Sequence, residues 1–141
     1  MKIAYMDNIL TAKDFSIIRR LMGWSEKPEA QIEKALTNGL YSVVALDGEN
    51  IIGMGRLVGD GALYWYVQDV VVLTEYQGKG IGKQIMKQLI NYITSNSLPN
   101  TAITIGLMAA KGKEGFYKKL GFRSRPNEQE DPGMIMNIDI V

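Results

Sequence analysis

Asp69-Val70-Val71-Val72-Leu73-Thr74-Glu75-Tyr76-Gln77-Gly78-Lys79-Gly80-Ile81-Gly82-Lys83 is the stretch whose reading decides the fold. Val70, Val71 and Val72 are a β-branched run with no helical period, which suits a strand. Leu73 to Gln77 connects that strand to a turn in which Gly78, Gly80 and Gly82 alternate with Lys79 and Ile81. From Ile81 an apolar stripe begins, with Ile85, Leu89 and Ile93 at successive fourth positions on one helical face. Glycines at the mouth of a helix let a ligand approach the backbone, because no Cβ intervenes. The first helical turn also carries free N–H groups and the positive end of the helix dipole. Strand, glycine turn and helix together make an anion site, most often one for phosphate.

Spacing decides which phosphate loop this is. A P-loop would need glycine five positions after Gly78, where Lys83 stands. The Gly-x-Gly-x-x-Gly dinucleotide pattern fails as well, at Lys83 when counted from Gly78 and at Ile85 when counted from Gly80. The pattern Gln/Arg-x-x-Gly-x-Gly/Ala is met by Gln77, Gly80 and Gly82, directly after a strand. In this the chain resembles the GCN5-related N-acetyltransferases (GNAT family), whose loop of this form holds the pyrophosphate of acetyl-coenzyme A. A second segment, Gly115-Phe116-Tyr117-Lys118-Lys119-Leu120-Gly121-Phe122, resembles the Phe-Tyr-x-x-x-Gly-Phe segment of the same family. Read without the resemblance, it is an amphipathic helix closed by a glycine cap.

Composition bounds the alternatives. The 141 residues suit one domain over 1–141, and 46% hydrophobic residues can build a core without disulfides or metal. The formal net charge is +1, with no basic run, so no nucleic-acid partner is expected. There is no Cys and no His, which removes a thiol nucleophile, a Ser-His-Asp triad and a zinc site of Cys and His. No metal is expected. No apolar run is long enough to span a bilayer and the N-terminus lacks a signal-peptide apolar region, so a soluble, cytoplasmic protein without a membrane partner is expected.

Taken in order, the chain predicts a strand at Lys2 to Met6, a helix from an N-cap at Thr11 to Gly23, and a helix from Pro28 to Asn38-Gly39. Strands follow at Tyr41 to Leu46, Ile51 to Val58 and Leu63 to Val72, with turns at Asp47-Gly48 and Gly59-Asp60-Gly61 between them. Next come the loop and its helix to Ser95-Asn96, a strand at Thr101 to Leu107, a helix at Lys111 to Leu120, and two last strands, from Phe122 and over Met134 to Ile140. The β-helix-β passage after the loop predicts a right-handed parallel crossover. The fold class expected is α/β (α+β), and the order of elements matches the GNAT fold along nearly the whole chain. That implies a mixed, mostly antiparallel sheet of about seven strands, splayed between strands 4 and 5, with helices on both faces.

The resemblance implies an acetyl-CoA-dependent N-acetyltransferase: acetyl passes from acetyl-CoA, the cosubstrate, to the primary amine of a small molecule by direct attack on the thioester. Gln77, Gly78, Lys79, Gly80, Ile81, Gly82 and Lys83 would hold the pyrophosphate. Val70, Val71 and Val72 would offer backbone to the pantetheine arm, and one of their N–H groups would polarise the carbonyl. Tyr117 would be the general acid; a phenol of pKa ~10 keeps its proton at neutral pH. Without His, the base is Asp69, Glu75 or a water chain. Asp69 comes first, because a carboxylate in an apolar strand is costly unless paired or solvated; a purely structural carboxylate is the alternative. Many relatives carry an Asn seven residues before the tyrosine, where this chain has Ala110, so cofactor contacts there fall to backbone or Lys113; Phe116 is a further cofactor contact that the resemblance implies.

In this fold the acceptor pocket would be lined by Trp24, Trp65 and Tyr66, with Met22, Asp60 and Glu128 near it. Gly55-Arg56-Leu57-Val58-Gly59-Asp60-Gly61 and Arg125-Pro126-Asn127-Glu128 also resemble small bacterial members and plant plastid arylalkylamine acetyltransferases. Aromatic walls beside a carboxylate suit a small amine. The competing functions are a non-catalytic module that senses acetyl-CoA and a protein or peptide N-acetyltransferase. Homodimers are common among relatives, and apolar residues on the last strands are where one would form.

Overall fold

The computed structural model describes residues 2–141, which divide into two compact units, 2–107 and Met108–Val141. The first unit contains β1 (Ile3–Asp7), α1 (Ala12–Leu21), α2 (Glu29–Asn38), β2 (Tyr41–Asp47), β3 (Asn50–Gly59), β4 (Tyr64–Val72), a 3₁₀ turn at Thr74–Tyr76, α3 (Ile81–Asn96) and β5 (Thr104–Gly106). Its sheet runs in the order β1-β2-β3-β4-β5, antiparallel through β4 and parallel between β4 and β5, as the crossover predicts.

Local chemistry sets the boundaries. Thr11 caps α1 by accepting a hydrogen bond from the Asp14 N–H at 3.1 Å. Asp60 turns the β3–β4 hairpin: its Oδ1 accepts from the N–H groups of Ala62, Leu63 and Tyr64 at 2.8, 2.8 and 3.0 Å. The α3 stripe read from the sequence is the buried one: Ile81, Ile85, Leu89 and Ile93 are at most 3% exposed. They meet the sheet where it has no side chains. A Cβ on Gly55 would lie 2.8 Å from Ile85 Cγ2 and 3.1 Å from Leu89 Cδ1. Gly53 and Gly55 therefore face α3. Arg56, one position on, faces the other way, its guanidinium carbon 5.8 Å from the Phe15 ring centre in α1. Helices thus cover both faces of the sheet.

The second unit holds α4 (Glu114–Lys119) and an irregular C-terminal stretch. Here the expected strand count is corrected. The described sheet has five strands rather than about seven, because neither the stretch from Phe122 nor Met134 to Ile140 joins a ladder. An alternating pattern sets a two-residue period but supplies no neighbour to pair with. Met134, Met136, Ile138 and Ile140 are 91, 81, 70 and 89% exposed.

Candidate active site

The site begins at an irregularity in β4. Met54 pairs with Val71 and Arg56 with Gln68, so Gly55 alone opposes both Asp69 and Val70. This is a β-bulge, and it places Asp69 at φ +54°, a left-handed conformation uncommon for a residue with a Cβ. The bulge changes the alternation of the strand, so Gln68 and Asp69, though adjacent, both line one cavity on the α1–α2 side.

Asp69 is not alone there. Arg56 Nε donates to Asp69 Oδ2 at 2.7 Å, and Arg19 Nη1 lies 3.7 Å from Asp69 Oδ1. The side chains are 7, 13 and 15% exposed for Asp69, Arg56 and Arg19. The Phe15 ring is flanked by the two guanidiniums, and Arg19 also lies 5.2 Å from the Trp24 ring. Neither arginine was singled out from the sequence. The available signal was Arg56 itself, a charge between Gly55 and Leu57 in an otherwise apolar strand.

Beyond the bulge β4 has a free edge. Its pairing with β5 covers only Tyr64, Trp65 and Tyr66, so among the described residues Val67 to Val72 have no β5 partner. Leu73 N–H donates to Ile52 O across β3 at 2.9 Å. By strand alternation Val72 and Val70 then direct their N–H and C=O groups to the open edge. Gln77 Nε2 donates to Val72 O there at 2.9 Å.

The glycine turn follows. Gly78 and Gly80 adopt φ of +77° and +81°, and a Cβ on either would meet no atom within 4 Å. The strain a side chain would suffer is therefore one of backbone angle, and the space outside the turn is open. The first i to i+4 bond of α3 runs from Gln84 N–H to Gly80 O, so the N–H groups from Gly78 to Lys83 have no backbone acceptor among the described residues. Lys83 is exposed in the first helical turn, where no acid stands, and Lys79 lies 5.7 Å from the Tyr76 ring. A run of unpaired N–H groups, a dipole end and two lysines fits a pyrophosphate.

In the second unit, Tyr117 is half-buried between Phe116 and Phe122, with ring centres 5.0 and 5.9 Å away. Burial pushes its hydroxyl up from the ordinary tyrosine value, so it holds its proton at neutral pH. Lys113 caps α4, its carbonyl accepting from the Phe116 and Tyr117 N–H groups.

One expected wall residue is corrected. Trp65 is 3% exposed and packs edge-on against Tyr92 of α3, so it belongs to the core instead of lining the cavity. Strand alternation sends it to the α3 face and Tyr66 to the opposite one. Tyr66 and Trp24 are partly exposed, and Glu75 lies exposed in the 3₁₀ turn.

A strand with a bulge and a free edge runs into a glycine turn and an anion-ready helix, and the comparisons give this arrangement a family. The acetyltransferase (GNAT) domain model matches residues 22–137, across both units, and the chain belongs to the GNAT acetyltransferase family. It is 32% identical, with a TM-score of 0.84, to the solved structure of a probable acetyltransferase from Staphylococcus aureus, covering 97% of this chain and 100% of that one. It is 31% identical over 125 residues to the chloroplastic GCN5-related N-acetyltransferase 2 of Arabidopsis thaliana. It is also 31% identical over 116 residues to histone acetyltransferase TAP1 of Glycine max. The matches cover 74% of this chain and 47% and 48% of those two proteins, so the chain spans about half the length of these curated relatives. Among the described residues, no helix is long and apolar enough to cross a membrane.

Proposed function

We propose that this chain transfers acetyl from acetyl-CoA to the primary amine of a small molecule. Acetyl-CoA, when bound, supplies the activated thioester; the rest falls to the chain. The N–H groups of Gly78 to Lys83 bind the pyrophosphate, with Lys79 and Lys83 adding charge and Gln77 tying the turn to Val72. The open edge at Val70 and Val72 binds the pantetheine arm as an added strand, and one of these N–H groups polarises the acetyl oxygen. Lys113 and Phe116 are further candidates for contact with the cofactor. Tyr117 Oη gives its proton to the departing sulfur.

The base is Asp69 or a water held by it. An arginine already faces each of its carboxylate oxygens, so a water held at the carboxylate is the alternative acceptor. The open β4 edge joined to the acceptor-free N–H groups of the turn is the observation that carries the proposal. A cavity of about 180 Å³ beside Asp69 offers room for a small acceptor. Following thiol release from acetyl-CoA against amines tests it, with Tyr117→Phe alongside. Amine-dependent release that collapses in the variant supports the proposal; release indifferent to the amine or to the variant refutes it.

A further inference from the structure

The cavity beside Asp69 carries an excess of positive charge that the chain does not neutralise. Arg19, Lys27 and Arg56 line it together with Gln31, Gln68 and Asp69, three cations against one carboxylate. Arg19 is partly used up, since its Nε and Nη2 donate to Ser25 O at 3.2 and 3.0 Å. Arg56 spends only Nε on Asp69, and its two Nη atoms have no protein acceptor among the described residues. Its side chain is 13% exposed, and among the described residues the one fully buried side-chain polar atom without a partner is Trp65 Nε1, so the free Nη donors of Arg56 keep some access to water. A planar fork with free Nη donors at a cavity wall matches an oxyanion bidentately. Lys27 adds charge at an exposed position on the cavity, and the amides of Gln31 and Gln68 add neutral donors.

We infer that the acceptor is an anionic amine, a small molecule whose amine is accompanied by a carboxylate or phosphate that pairs with Arg56 and Lys27. This rests on the acetyl-transfer proposal and narrows it. The ammonium end would lie toward Asp69, the residue next to the open β4 edge, and the anionic end toward the free Nη atoms of Arg56. A neutral arylalkylamine would leave the Nη atoms of Arg56 unanswered.

Matched pairs separate the cases: β-alanine against ethylamine, L-phenylalanine against phenethylamine, and phosphoethanolamine against ethanolamine, each pair differing by the anionic group. The first readout needs no turnover. Nitrogen-15 spectra of the arginine Nε–H and glutamine side-chain amides are recorded as each amine is titrated. Saturable shifts at Arg56 and Gln68 are expected for at least one anionic member and not for its neutral partner. The pair that responds distinguishes carboxylate from phosphate. The second readout is kcat/KM for thiol release, expected to favour that anionic member by about tenfold or more, since tenfold corresponds to a single charge-assisted contact.

Lys27→Gln, at an exposed position that leaves Arg56 and Asp69 paired, should reduce both the apparent affinity and the preference about threefold or more. Equal shifts for both members of every pair, or none for any anionic amine, overturn the inference. Shifts with an anionic amine in a protein that fails to bind acetyl-CoA would leave the anion site standing and sink the transfer reaction. Amine-dependent turnover with no anionic preference would do the reverse.

Discussion

At the scale of single residues, Tyr117 and Asp69 are the informative cases, and they differ in how legible they were. Tyr117 could be named from Phe116-Tyr117 and Gly121-Phe122, because a short helix with its glycine cap is a local object. Asp69 could be named, but its partners could not. Arg56 and Arg19 reach it through the β4 bulge and the α1–β3 packing, and no local pattern announces either. Tyr117→Phe should lower kcat about 100-fold, the low end of what a general acid contributes, while calorimetry finds acetyl-CoA affinity little changed. Asp69→Asn leaves two mostly buried guanidiniums short of a counter-charge. It should cost about 2–4 kcal/mol in denaturant unfolding, the range for breaking a buried pair tempered by the wet rim of the cavity. A variant that keeps full stability and loses only kcat would show instead that Asp69 serves the chemistry and not the scaffold.

At the scale of elements, the glycines of β3 are explained by what crosses them. Gly53 and Gly55 are where Ile85 and Leu89 of α3 close on the sheet. Gly55→Ala would force those side chains aside and should destabilise by about 1–3 kcal/mol, the usual cost of overpacking, measured by chemical denaturation. The β3–β4 hairpin carries a pH prediction. Hydrogen bonds from the Tyr64, Ala62 and Leu63 N–H groups hold the Asp60 carboxyl below the usual carboxylate range. Its contribution is therefore fully present above the unfolded carboxylate value and is lost as pH falls through the lowered one. Amide protection factors at Ala62 to Tyr64, referred to the intrinsic exchange rate at each pH, should fall on acidification in the wild type, whereas Asp60→Asn should show no such transition. The two last strands mark the limit of pattern-reading: an alternating sequence states a preference, and only a neighbouring edge turns it into a strand.

At the scale of the molecule, the family and the succession of elements were legible because the diagnostic loop and the aromatic segment lie far apart in the chain with the expected elements between. The acceptor was not, because its charge preference emerges only when α1, α2, β3 and β4 meet around one cavity. The run from Met134 to Val141 is exposed and largely apolar, a surface unfavourable in water. A bound cosubstrate should also stabilise the fold, by about 2.7 kcal/mol at a hundredfold excess over Kd.

Calorimetric titration with acetyl-CoA, wild type beside Gly80→Ala, tests the central claim most directly. A side chain at a position of φ +81° distorts the turn that presents the acceptor-free N–H groups. The account predicts saturable, one-to-one binding to the wild type and affinity at least about tenfold weaker in the variant, a difference of ~1.4 kcal/mol. Absence of binding to the folded wild type, or equal affinity in both proteins, would contradict it and leave the glycine turn as a connection between β4 and α3.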